Sequence, residues 1–518
     1  MQAANRVVMN TGLLYGKMLV TIFISLYSTR LVLSALGARD FGIFNLIAGV
    51  IAMLSFLNMA MTLSTQRYMS VHLGGGDMER LKKIFNASIL LHLLLGLGLV
   101  IVFEAAGYFL LGHVLNIPPE RLSAARIIYH FMVVSAFFTI ISVPYDATIN
   151  ARENMLLVAL TGIAEALLKL GVALVLQNAG SDRLVLFAGL TAATAVGLLL
   201  FKRIYCSLKY PESRIRFGKY KDGALLKEML FYGGWNMFGA VSVVTRNQGI
   251  AMILNVFFGT IVNAAYGIAN QVNAQLSFFS VTLMQALNPQ IMKSEGQGNR
   301  ERMLKLAMIA SKFSFSLLAF FSIPLILETP FVLGLWLKEV PDYTIVFCRL
   351  ILLSTMVNQL SVGIQVGVQS VGKIRKYQLS VSALLMLNLP VAYLLLRMGM
   401  PAWSVLAAAL GIEIITCAYR IGAAEKLIGL PVRTFLSGVV TRAVASVLLA
   451  FCIALLPYRA MDEGWARLIA TCAASTMGLI CTLNWVGLSA YETGKIRDVM
   501  TKALSRIHPR LAVIKKAV

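Results

Sequence analysis

The amino-acid sequence predicts an all-α, polytopic membrane protein of about fourteen transmembrane helices, built as two six-helix lobes plus a C-terminal helix pair. Three observations carry this reading. Of 518 residues, 58% are hydrophobic and 13% charged, whereas soluble domains hold about 45–50% apolar and about 25% charged residues. The net charge of +23, from 46 Lys and Arg against 23 Asp and Glu, gathers in alternate loops. Two stretches of the first half recur in the second. In a soluble protein such a charge would suggest nucleic acid. In a membrane protein it marks cytoplasmic loops facing anionic lipid. No long polar stretch exists in which a separate catalytic or nucleotide-binding domain would fold.

The apolar segments of the first half fall at 9–36, 41–66, 84–112, 124–146, 154–177 and 184–205. Those of the second half fall at 228–258, 262–290, 304–327, 344–370, 377–399 and 402–425, with a last pair at 435–457 and 464–488. Each is long enough to cross about 30 Å of hydrocarbon. The division is an N-lobe at 1–207, a basic cytoplasmic linker at 208–227, a C-lobe at 228–426, the added pair at 427–488 and a basic tail at 489–518. Ala35-Leu36-Gly37 is a passable cleavage site, but the apolar run before it is too long for a signal peptide, so it reads as an uncleaved first helix.

The distribution of basic residues tests the count. With the N-terminus inside, the inner loops hold Arg67, Arg80, Lys82, Lys83, Arg152, the linker cluster around Arg214 and Lys221, and Lys293, Arg300, Arg302 and Lys305. Lys373, Arg375, Lys376, Arg420, Lys426, Arg433 and the tail from Lys495 to Lys516 follow. Outer loops hold only Arg39, Arg121, Arg126, Arg183, Lys338, Arg397, Arg459 and Arg467. A bias of about four to one places both termini in the cytoplasm.

Phe41-Gly42-Ile43-Phe44-Asn45 returns as Tyr266-Gly267-Ile268-Ala269-Asn270, and Gly76-Asp77-Met78-Glu79-Arg80-Leu81-Lys82-Lys83 as Gly298-Asn299-Arg300-Glu301-Arg302-Met303-Leu304-Lys305. The spacings are about 225 and about 222 residues, six helices apart, so the copies share one orientation. The six cysteines form no CxxC pair and read as small buried hydrophobes, without a metal or disulfide role. The sequon Asn86-Ala87-Ser88 opens an apolar segment and is discounted. Gly74-Gly75-Gly76 lacks the Lys-Ser/Thr of a phosphate loop and reads as a flexible turn.

A charge at mid-membrane costs about 2.5–3.5 kcal/mol on insertion scales, so each needs a reason. In the first segment Asn10, Lys17, Thr21 and Ser28 share one helical face. Lys17 either snorkels to the inner surface or faces a cavity. Arg30, on another face, snorkels outward or marks the outer end of a path. Arg246 sits mid-segment among Trp235, Asn236, Ser242 and Asn247, with no acidic partner in its own segment. It is read as an anion-facing arginine, against a buried ion pair. Asn263, Tyr266, Asn270, Asn273, Ser277, Ser280 and Met284 line one face of the next segment, and Ser55, Asn58, Thr62 and Thr65 do so in the second. Such stripes serve either interhelical hydrogen bonding or a watered cavity for hydroxyl-rich cargo. Glu165 and Lys169 read as a self-contained i, i+4 pair. Asp146 reads as a solvated turn near Arg152. Glu104, Glu413, His92 and His130 read as isolated. Ion coupling through Glu165 or Asp146 is a further possibility.

Arg30-Leu31-Val32-Leu33-Ser34-Ala35-Leu36-Gly37, followed by Asp40-Phe41-Gly42-Ile43-Phe44-Asn45, and Ser64-Thr65-Gln66-Arg67-Tyr68 resemble helix-boundary motifs of the multidrug/oligosaccharidyl-lipid/polysaccharide exporter superfamily, and within it of Wzx-type oligosaccharide flippases. Asn116-Ile117-Pro118-Pro119-Glu120-Arg121 and Val143-Pro144-Tyr145-Asp146-Ala147 are similar to a branch of lipopolysaccharide biosynthesis proteins. The resemblance implies flipping of an undecaprenyl-diphosphate-linked oligosaccharide from the cytoplasmic to the periplasmic leaflet of the bacterial inner membrane, by alternating access. It implies Lys17 and Arg246, then Arg30 and Arg67, as diphosphate contacts, and a lipid groove at the last helix pair. It also implies no cofactor, a monomer, and membrane lipids and polysaccharide polymerase machinery as partners rather than nucleic acid. A cation-coupled drug exporter is the alternative within transport, yet residues 1–39 lack the carboxylate many such exporters keep in the first helix. A polytopic glycosyltransferase or polymerase is the alternative enzyme, and the absence of a long outer loop counts against it.

Overall fold

The computed structural model describes every residue except 1–2, 53–54, 112–116, 181, 221, 338, 490–491 and 495–518. Asn116, Lys221, Lys338 and the tail from Lys495 therefore lie outside the described residues, as do the side chains of Arg6 and Ser55. The rest is helical: α1 (Ala3–Ala52), α2 (Ser55–Gly74), α3 (Met78–Phe109), α4 (Leu122–Ala151), α5 (Met155–Gln177), α6 (Arg183–Lys209), α7 (Gly223–Gly296) and α8 (Arg300–Trp336). Then come α9 (Thr344–Gln359), α10 (Val362–Val371), α11 (Arg375–Met386), α12 (Asn388–Arg397), α13 (Trp403–Ile428), α14 (Val432–Phe435), α15 (Thr441–Ala460) and α16 (Trp465–Thr482). Among the described residues 11 helices are long and apolar enough to cross a membrane, or 12 if α9 and α10, bent by 43°, form one span. Two expected segments merge in α7, and segment 41–66 straddles residues 53–54.

Helix starts follow from side-chain capping. Asp77, Asn154, Asp182, Asp222 and Asn299 each accept a hydrogen bond from a backbone N–H two or three residues on, satisfying donors that a helix start leaves open. The two helical breaks inside α1 and α7 fall at Gly37 (φ 75°) and Gly259 (φ 77°), a left-handed region open to glycine. These glycines are 222 residues apart, as are Gly76 and Gly298, and Asp77 and Asn299 that follow them as caps. The structural register of the repeat is thus 222. The match at 225 is displaced by three residues, close to one helical turn, which puts its residues on similar faces without making them equivalent.

The chain forms two compact units. One holds Gly12–Val241 and Met292–Gly298. In it α4 packs against α2, α3 and α6, around Ile47, Ile128, Tyr129, Val133 and Leu184. Tyr129 donates to the Phe103 carbonyl at 2.6 Å, its ring filling the space that Gly107 leaves. α4 runs on past Pro144 to Ala151, so Asp146 lies inside a helix and not in a turn. The linker is pinned here: Asn86 accepts from the Arg216 amide at 2.7 Å and donates to the Arg214 carbonyl, and Arg152 pairs with Glu212 at 2.7 Å. Asn86 is buried, which is why its sequon is no glycan site. Gly74 and Gly296 meet backbone of Lys293 and Val71. The glycine run thus starts at a close helix crossing, and Gly75 and Gly76 form the turn expected between α2 and α3.

The other unit holds Met1–Thr11, Ser242–Ile291 and Asn299–Val518. α8 packs against α9, α10, α15 and α16, and α13 against α9 to α12. Pro330 has no N–H for the Ile326 carbonyl, and Arg349 of α9 supplies the missing donor at 2.8 Å. Arg467 of α16 pairs with buried Glu328 of α8 at 2.9 Å, and Lys312 with Glu492 at 2.8 Å. Cys452 and Cys481 are exposed and Cys472 half-buried, unlike the buried Cys206, Cys348 and Cys417.

Candidate functional site

Arg246 of α7 is half-buried in its unit. Its Nε donates to Asn247 Oδ1 at 3.1 Å and its Nη1 approaches Glu413 Oε2 at 3.5 Å. Glu413, on α13, is not isolated: Oε1 accepts from Asn358 Nδ2 at 2.9 Å and from Arg420 Nη1 at 2.8 Å. Arg420 also donates to Ser361 Oγ at 3.3 Å and lies beside buried Tyr377. Arg420 was expected in an inner loop, yet it is 3% exposed. The reason is visible in hindsight: Glu413 and Arg420 are seven residues apart, two turns of one face. Two guanidiniums on one carboxylate leave the cluster with one excess positive charge. Arg246 Nη2 makes no hydrogen bond to protein among the described residues.

The amide stripe of α7 is not uniform. Tyr266 lies in the apolar core with Leu254 and edge-on to Phe347, its hydroxyl reaching the Asn247 carbonyl at 3.4 Å. It is packed rather than open to a cavity. Asn270 turns back to the Tyr266 carbonyl at 2.9 Å, and Ser280 donates to the Ser314 carbonyl at 3.2 Å. Asn263, Asn273 and Ser277 stay half-buried.

In the other unit Lys17 of α1 lies over Gly162 of α5, where a Cβ would sit 2.9 Å from its Nζ. Its charged neighbours are Glu165, Asp146 and Lys202. Both carboxylates are occupied elsewhere: Glu165 pairs with Lys169 at 2.7 Å, and Asp146 with Lys202 at 2.7 Å and with Ser142 Oγ at 3.0 Å. Lys17 Nζ itself has neither an ion pair nor a hydrogen bond among the described residues. Thr21 bonds to the Met18 carbonyl at 3.0 Å. Ser28 is buried and Arg30 exposed in this unit, whereas buried Asn10 belongs to the unit that holds Arg246.

Arg67 in the C-terminal half of α2 is stacked over Tyr68 (4.7 Å) and Tyr232 (5.0 Å), and Tyr68 donates to Glu228 Oε1 at 3.1 Å. Buried Asn236 bonds Tyr232, and half-buried Asn58 accepts at its carbonyl from Thr62 at 2.8 Å. Glu104 and His130, expected to be isolated, pair at 3.0 Å on an exposed face. Just before α4, Arg121 bridges Asp40 and Asp182 beside a cleft of about 490 Å³. Burial opposes ionisation of Asp182. The hydrogen bonds it accepts from Arg121 and the Val185 and Leu184 amides outweigh this and hold its carboxyl below the usual value.

Comparison with known proteins places this architecture. A family model, MatE, matches residues 15–175. A structure described as the outward-facing conformation of a multidrug resistance MATE family transporter of the MOP superfamily superimposes with TM-score 0.71 at 14% identity, over 82% of this chain and 95% of that one. A MOP superfamily transporter from Pyrococcus furiosus, described as having a binding pocket of reversed polarity that suggests a different function, gives 0.69 at 13%, over 83% and 98%. The chain thus has the fold seen in these MATE-type, MOP-superfamily structures. In sequence it is also similar to the uncharacterized membrane protein EpsK of Bacillus subtilis (strain 168), 22% identical over 310 residues. That match spans 58% of this chain and 59% of EpsK.

Proposed function

We propose that this protein flips an undecaprenyl-diphosphate-linked oligosaccharide from the cytoplasmic to the periplasmic leaflet of a bacterial inner membrane, by alternating access, in cell-surface polysaccharide biosynthesis such as that of O-antigen and lipopolysaccharide. The supporting observation is two cations within apolar segments: Lys17, whose Nζ has no ion pair or hydrogen bond among the described residues, and Arg246, which Glu413 holds only at 3.5 Å and whose Nη2 makes no hydrogen bond among them. A structural cation at such depth is normally paired. A diphosphate offers the bidentate oxygens a guanidinium fits and the point charge an ammonium favours. In this reading the half-buried amides of α7, Asn263 and Asn273, meet sugar hydroxyls, and both termini are cytoplasmic. The test is complementation of a flippase-deficient strain, with leaflet accessibility of the lipid-linked glycan as readout. Arg246→Ala and Lys17→Ala are each expected to slow flipping about tenfold or more, the loss of about 1.4 kcal/mol of binding, at unchanged membrane level. Wild-type rates in both variants would refute the reading.

The second reading is a cation-coupled small-molecule exporter. The fold's likeness to a multidrug transporter structure and the buried carboxylate of Glu413 favour it. Arg420 already neutralises that carboxylate at 2.8 Å, which weighs against a free cation site. Drug tolerance raised by expression, without complementation, would decide for this reading.

A further inference from the structure

We infer that Glu413 is a displaceable counter-ion for Arg246: it holds the arginine's place in the empty protein and yields it to the diphosphate of the cargo. The inference rests on the proposed flippase reading. Its ground is the asymmetry of the cluster. Glu413 Oε1 receives two short bonds, from Asn358 at 2.9 Å and Arg420 at 2.8 Å, whereas the bond of Oε2 to Arg246 is long at 3.5 Å. Glu413 and Arg420 have side chains 3% and 4% exposed, while Arg246 is 22% exposed.

Removing one partner of a buried ion pair is costly, because the other charge is left unpaired. Here that cost does not arise. When Arg246 swings away, Glu413 keeps Arg420 and Asn358, so no charge is stranded. Arg246 is anchored through Nε to Asn247 on its own helix, which leaves both terminal nitrogens to address an anion together. A carboxylate spaced at 3.5 Å occupies one of them weakly. It is a competitor that a dianionic diphosphate, with a stronger charge and two acceptor oxygens, outbids. A phosphate monoester carries less charge than a diphosphate ester and so has a smaller advantage over the carboxylate. Glu413 is thus a specificity-determining residue that acts through Arg246.

The experiment is binding of farnesyl diphosphate, farnesyl monophosphate and inorganic pyrophosphate to the purified full-length protein in detergent, for six forms. Glu413→Gln removes the competitor. Glu413→Gln/Arg420→Gln removes it together with the charge it neutralises, so that no buried cation is left unpaired should the single variant not fold. Both are expected to bind farnesyl diphosphate about tenfold more tightly than wild type. Both should also discriminate less between the diphosphate and the monophosphate. Adding Arg246→Ala to either should erase the gain. Unchanged or weaker diphosphate affinity in the folded variants, with wild-type binding still lost in Arg246→Ala, overturns this inference alone. No diphosphate binding by the wild type overturns it together with the flippase reading. Pyrophosphate matching farnesyl diphosphate in affinity would keep the counter-ion role and assign the site to a free anion rather than a lipid-linked one.

Discussion

Position 162 must lack a side chain for Lys17 to lie where it does, since a Cβ there would meet the lysine's Cδ, Cε and Nζ, the last at 2.9 Å. The obstructed atoms are the far end of a flexible chain, so a methyl group would move the ammonium rather than unfold the helix. Gly→Ala within a helix itself gains up to about 1 kcal/mol. Gly162→Ala is therefore expected to keep or raise the thermal midpoint in detergent while lowering flipping several-fold. A fall in both together would mean that Lys17 is only a packing element. The pairing of Asp146 with Lys202 belongs to the same scale. With that carboxylate occupied by a second lysine, Lys17 has none of its own.

At the scale of elements, α16 is tied to α8 by charge placed in an apolar interface. Glu328 is fully buried and receives both Arg467 and the Thr471 hydroxyl, the latter at 3.0 Å. Neutralising one side leaves a buried cation with half its partners, at a cost of about 3–5 kcal/mol. Glu328→Gln should lower the melting temperature in detergent markedly. Glu328→Leu combined with Arg467→Leu should restore most of it. A double variant no better than the single one would show that the pair does not act as a unit. Arg349 works differently, filling a backbone bond that Pro330 leaves open at Ile326. It is thus a cation whose task is fixed by a proline on another helix.

For the molecule as a whole, the positive-inside pattern predicts that the linker and the loop between α5 and α6 lie on opposite faces. In a background without the exposed Cys452 and Cys481, Gly180→Cys should react with an impermeant maleimide in intact cells. Gly218→Cys should react only after permeabilisation. The reverse pattern would invert every loop. The helical spans were largely legible in the sequence, because apolar run length is a local quantity. The repeat was legible too, and the glycine breaks at 37 and 259, with the matching turn glycines Gly76 and Gly298, decide for its register of 222. The chemistry was less so. Arg246 and Glu413 are 167 residues apart, and no local pattern joins them. The spacing of Glu413 and Arg420 was the available clue, hidden because Arg420 sits near the end of the apolar run 402–425 and resembles a loop cation. The amide stripe misled for the opposite reason: its spacing was right, but Tyr266 has an apolar ring that packing claimed.

The length of α7 beyond its break has one more consequence. From Gly259 to Gly296 the helix is continuous, which at 1.5 Å per residue is roughly 55 Å. The hydrocarbon of a bilayer is about 30 Å thick. The apolar stretch within it, 262–290, is about 43 Å long, so it too exceeds the hydrocarbon. Such an excess is taken up by tilt or by turns standing in the interface. Native membranes differ in thickness by only a few ångströms, far less than the excess. A thinner or thicker bilayer therefore changes the tilt of this segment and not whether it is long enough to cross.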